Sequence, residues 1–127
     1  MEKITEILLL AFLSITFLQS GLDKVIDWKG NLDFIKSHFA KTFLKNSVPA
    51  LLGIVLFIEI VAGILSLAGI WELFKSGASA LGFYGAILSC VALLMLLFGQ
   101  RVAKDYEGAK TIVIYFIPTI FTVFLLQ

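Results

Sequence analysis

Between Pro49 and Gly69 the chain reads PALLGIVLFIEIVAGILSLAG, an apolar run broken by one carboxylic acid, Glu59. Leu56, Phe57, Ile58, Ile60, Val61 and Ala62 offer it no polar partner within its own segment. A charged side chain at the centre of a bilayer costs about 2.5–3.5 kcal/mol on insertion scales. Glu59 must therefore face other helices, a wet cavity or a ligand, or else carry its proton. Those are the requirements of an acid that moves protons or holds a polar ligand. The basic residue placed to meet it is Lys24, at the rim of the first apolar run, where Thr16, Ser20, Asp23 and Asp27 share one face. At ~1.5 Å per residue, Gln19 and Tyr115 fall about a turn from Glu59 toward that rim. Glu59 with Lys24, bridged by Gln19, Tyr115 or water, is the candidate site.

The other reactive residues exclude more than they suggest. Cys90 is the only cysteine, so neither an intrachain disulfide nor a CxxC redox pair can form, and within an apolar run it reads as an inert thiol. His38 is the only histidine, which removes bis-histidine haem ligation within one chain. No metal-ligand spacing occurs, and no metal or covalent cofactor is expected. A formal net charge of +1, without basic runs, argues against a nucleic-acid partner.

Of the 127 residues, 60% are hydrophobic and 15% charged. A soluble domain carries about 25% charged residues, so lipid must be the solvent for most of this surface. Four apolar runs are long enough to span a bilayer: 4–22, 49–70, 79–99 and 109–126. The first reads as a retained span, because Glu2 and Glu6 flank Lys3 and no A-x-A site follows Phe17-Leu18-Gln19-Ser20. The expected architecture is all-α, a single-domain, integral-membrane, up-down four-helix bundle. Pro49 suits a first helical turn, and Pro118 should kink the fourth span.

The first connection carries Leu32, Ile35, Phe39 and Phe43 at three- and four-residue steps, with lysines on other faces. This predicts an amphipathic interfacial helix over 31–45, capped by Asn31. Trp28 and Trp71 are expected as interface anchors. Lys24, Lys29, Lys36, Lys41, Lys45, Arg101, Lys104 and Lys110 share one side of the membrane, against Lys3 and Lys75 on the other. That asymmetry favours placing 23–48 and 100–108 in the cytoplasm.

Two stretches carry a resemblance. Phe17-Leu18-Gln19-Ser20-Gly21-Leu22-Asp23-Lys24 resembles the F-x-x-x-G-x-x-K pattern of DoxX-type membrane proteins. Glu59-Ile60-Val61-Ala62-Gly63-Ile64-Leu65-Ser66-Leu67-Ala68-Gly69 resembles the E-L-x-x-G-x-x-L-x-x-G pattern of their second helix. Gly21, Lys24, Glu59, Gly63 and Gly69 are the matching positions. The resemblance implies a four-helix protein of the DoxX/DoxD type in a bacterial cytoplasmic (inner) membrane. Namesakes of that family are subunits of a thiosulfate:quinone oxidoreductase. The arginine many members carry at the start of helix one is absent here, so thiosulfate is not carried over as substrate.

Three functions fit these residues. One is a small subunit in quinone-linked or oxidative-stress redox chemistry, binding quinone and a soluble or membrane redox partner. Another is a non-catalytic assembly subunit in which Glu59 and Lys24 fix helix register. The third is a proton-coupled exporter working as a homodimer through Glu59.

Overall fold

The computed structural model describes residues 3–127; Glu2 lies outside them. The described chain forms five helices and no strand: α1 (Ile4–Ile26), α2 (Trp28–His38), α3 (Val48–Lys75), α4 (Ala80–Val102) and α5 (Tyr106–Leu126). All but α2 are long and apolar enough to cross a membrane, and together they make an integral-membrane four-helix bundle. In the bundle α1 packs on α3, α3 on α4 and α4 on α5, while α1 and α5 close the ring more loosely. Leu10, Leu13 and Phe17 of α1, Leu73 of α3, Ala86 and Leu93 of α4 and Leu126 of α5 fill the centre.

Lipid provides no hydrophobic drive between helices, so close backbone approach must hold them together. The glycines supply it. A Cβ on Gly63 would stand 2.7 Å from Leu18 Cγ and 3.1 Å from the Leu18 backbone nitrogen. One on Gly21 would stand 2.6 Å from Ile60 Cγ1. These two contacts fix an antiparallel α1–α3 register that sets the end of α1 beside Glu59. Between α3 and α4, a Cβ on Gly69 would lie 2.5 Å from Gly82 Cα, and one on Gly85 2.8 Å from the Ser66 nitrogen.

Each span runs further than its apolar stretch. The α3 helix continues through Trp71 to Lys75, so the connection to α4 shrinks to 76–79. Gly77, at φ 75°, donates its N–H to Leu73 O and ends the helix with a left-handed residue. Glu72 Oε1 then accepts from Leu81 N and caps the start of α4. At the other end of α4, Lys104 at φ 61° takes the same left-handed role, and Asp105 N bonds back to Gln100 O.

The interfacial helix departs from expectation. It starts three residues early because Asp27, not Asn31, is its N-cap, accepting from Gly30 N. Asn31 lies inside the helix and its amide donates to Asp27 O and Asp23 O. The helix also stops at His38 instead of reaching 45. Beyond it Thr42 donates to Phe39 O and accepts from Leu44 N, closing successive turns in competition with helix. Phe43 consequently points outward while Phe39 and Leu44 turn inward. Pro118 leaves α5 helical through to Leu126. Thr119 and Thr122 bond to the carbonyls of Tyr115 and Pro118, not to that of Ile114, which the proline deprives of its donor.

Replacing Gly69 by Leu should cost about 1–3 kcal/mol by forcing α3 and α4 apart. Gly53→Ala, where an added Cβ meets nothing within 4 Å, should stabilise by about 0.5–1 kcal/mol through helix propensity. Thermal unfolding in detergent reads both; an unchanged midpoint for Gly69→Leu would contradict the close α3–α4 contact.

Candidate ligand site at Glu59 and Lys24

Six polar residues are buried among the described residues: Ser14, Glu59, Ser66, Ser89, Thr119 and Thr122. Five of them satisfy themselves. Ser14 donates to Leu10 O, Ser66 to Ala62 O, Ser89 to Gly85 O, Thr119 to Tyr115 O and Thr122 to Pro118 O, each four residues back on its own helix. Glu59 cannot do this, because an ionised carboxylate only accepts and the helix has already used its own N–H groups. At 1% exposure it needs a partner from another element.

That partner is Lys24. Its Nζ lies 2.8 Å from Glu59 Oε1, with the lysine side chain 14% exposed. The ammonium also donates to Ser20 Oγ at 2.7 Å and approaches Ser20 O at 3.4 Å. Ser20, one turn before Lys24, thus aims the lysine inward. The four-residue spacing on one helix face was the signal for it in the chain. The lysine tetramethylene lets a residue near the rim of α1 reach an acid close to the middle of α3.

The geometry corrects the expected relay. Lys24 meets Glu59 directly, and neither Gln19 nor Tyr115 bridges them. The contact is an ion pair without a directed hydrogen bond: the ammonium stands beside Oε1 but out of line with it, so this buried oxygen has no hydrogen-bond donor.

Glu59 also borders open space. A cavity of about 370 Å³ is lined by Glu59 with Thr16, Gln19, Ser20 and Asp23 of α1, Leu93 and Leu96 of α4, and Ile112 and Tyr115 of α5. It lies at the loose α1–α5 seam, where Gln19 is exposed and Tyr115 is 38% exposed. Phe12 stacks on the Tyr115 ring with centroids 6.1 Å apart and orients it against α1. Apolar walls with a few convergent polar groups, at this volume, are the ordinary form of a small-molecule pocket.

The motif positions have plain structural work. Gly21 and Gly63 seat α1 on α3, and Gly69 seats α3 on α4. Trp28 is half-buried at the start of α2; Trp71 is 65% exposed near the end of α3, with Lys75 Nζ 5.4 Å from its ring centre. Cys90 is buried. No three His, Cys, Asp or Glu side chains cluster as a metal site among the described residues. His38, used above only to exclude haem, joins α2 to the α4–α5 turn. Its Nε2 is 3.1 Å from Gln100 Oε1 and 3.4 Å from Asp105 Oδ2, while Asp105 Oδ1 caps α5 through Gly108 N. Comparison with protein-family models, with curated proteins and with solved structures finds no match.

Lys24→Met leaves the carboxylate buried without its counter-charge and should cost about 3 kcal/mol, of which the double variant with Glu59→Leu should recover most. Unfolding of the two single variants and the double variant in detergent measures the coupling. Simple additivity of the single effects would contradict the pairing.

Proposed function

We propose that this chain is a DoxX-type subunit of a bacterial cytoplasmic membrane, serving quinone-linked or oxidative-stress redox chemistry by holding a quinone beside Glu59 and Lys24. The observation that carries the reading is Glu59, ion-paired to Lys24, on the wall of a 370 Å³ cavity at a loose helix seam. Among the lining residues, the Tyr115 hydroxyl and the Gln19 amide are donors for the carbonyl oxygens of a quinone, and Glu59 is an acceptor for the hydroxyl of its reduced form. Leu93, Leu96 and Ile112 offer the apolar surface the ring requires. The motif resemblance at Gly21, Lys24, Glu59, Gly63 and Gly69 supports the same class. Electrons would pass to a soluble or membrane redox partner, since the chain's own residues supply no redox group.

A second reading is favoured by the directness of the Lys24–Glu59 contact and its position between Gly21 and Gly63. In it the pair only fixes α1 against α3 in an assembly subunit. The two readings separate on one variant. Glu59→Gln keeps the size and a hydrogen-bonding end but loses the charge. On the quinone reading, protein purified with its native lipids retains quinone, and Glu59→Gln lowers that retention at least about tenfold, equivalent to ~1.4 kcal/mol. Quinone retention indifferent to the substitution would overturn the first reading and leave the second.

A further inference from the structure

A second cavity, of about 440 Å³, lies between α3 and α4 under the turns that follow α2. Ile35 and Phe39 cover it, Val48, Leu52 and Val55 form one wall, and Gly99 and Gln100 mark the end near His38. Its lining is almost wholly apolar, and it is the larger of the two cavities. What bears on its role is its position relative to Glu59. Val48, Leu52, Val55 and Glu59 follow one another on the buried stripe of α3. On the facing helix the register set by Gly69 against Gly82 and Ser66 against Gly85 brings Leu96 opposite Val55 and Leu93 toward Glu59. Val55, at the inner end of the apolar cavity, is therefore about one helical turn from Glu59 along α3, an axial rise of ~6 Å. Leu96 lines both cavities. Among the described residues it is the one common to the two linings.

We infer that the two cavities form one bipartite site for a head-and-tail lipophile, the polar ring lying at Glu59 and an isoprenoid or alkyl tail lying in the α3–α4 groove past Leu96. This rests on the quinone reading of the polar cavity and assigns the apolar groove to the tail of that same ligand. Burial of a tail explains the division of chemistry between the cavities: polar groups converge on one, while the other presents Val, Leu, Ile and Phe. A tail entering the groove leaves lipid and not water, so its affinity comes from van der Waals packing against the groove side chains and needs no polar contact. The turns 39–47 also gain a purpose, because Phe39 and Leu44 line the groove from them.

The test uses the full chain in nanodiscs and two probes with one headgroup, a tailless dimethoxy-methyl-benzoquinone and its decyl derivative. Val91 and Leu94 line the groove from α4 at 37% and 51% exposure, away from Glu59, so a tryptophan at either can fill the groove without entering the bundle centre. Val91→Trp and Leu94→Trp, made separately, should each weaken the decyl probe by about tenfold relative to the unaltered chain and leave the tailless probe unchanged. Glu59→Gln should weaken both probes. Tailless binding that depends on Glu59, with decyl affinity untouched by both tryptophans, would overturn the bipartite site while sparing the quinone reading. Indifference of both probes to Glu59→Gln would overturn the two together. Equal loss of both probes in the tryptophan variants would likewise overturn the tail assignment, since the groove would then be acting on the head.

Discussion

A carboxylate set near the middle of a membrane-crossing helix has to be compensated from outside that helix, and the bundle is arranged around the compensation. Lys24 delivers it from the rim of α1 at 2.8 Å. The contact depends on three conditions that hold together. Gly21 and Gly63 allow α1 and α3 to approach along backbone, Ser20 holds the lysine head inward, and the antiparallel register sets both residues on one face. Separating the pair would cost several times what an ordinary surface pair costs, because Glu59 is 1% exposed.

The remaining polar residues of the spans sharpen the contrast. Serine and threonine in a helix can return their hydroxyl proton to the carbonyl one turn back, so Ser14, Ser66, Ser89, Thr119 and Thr122 are small packing residues in an apolar setting. Glutamate has no such escape. Its presence demands interhelical chemistry, and the adjoining cavity gives that chemistry room. The second cavity, on the α3–α4 side and sharing Leu96 with the first, is apolar.

Much of this was legible in the chain because lipid imposes simple rules. Spans are long and apolar, an isolated acid must point inward, and glycines mark helix contacts. Lys24 could be named as the partner of Glu59 because a lysine at the rim of the first span can reach inward. Other features were not legible, for reasons of geometry. Whether Gln19 or Tyr115 bridges the pair depends on how far a lysine can bend, which Ser20 decides and a depth count does not. The extent of α2 turned on local hydrogen bonding at Asp27 and Thr42, which outweighed the spacing of Leu32, Ile35, Phe39 and Phe43. The apolar groove left no mark at all, since its lining residues are indistinguishable in sequence from lipid-facing ones. The same holds for His38, whose partners Gln100 and Asp105 lie far along the chain.

The central claim is a direct contact between two named side chains inside a bilayer, and solid-state NMR reads it without ligand or partner. Protein carrying ¹⁵N at lysine Nζ and ¹³C at glutamate Cδ, reconstituted in lipid, should show dipolar dephasing of the Glu59 carboxyl by an ammonium, matching an N···O separation of 2.8 Å. Lys24→Met should abolish it. A Glu59 carboxyl that shows no dephasing from any lysine, or one that keeps it in Lys24→Met, would contradict the account.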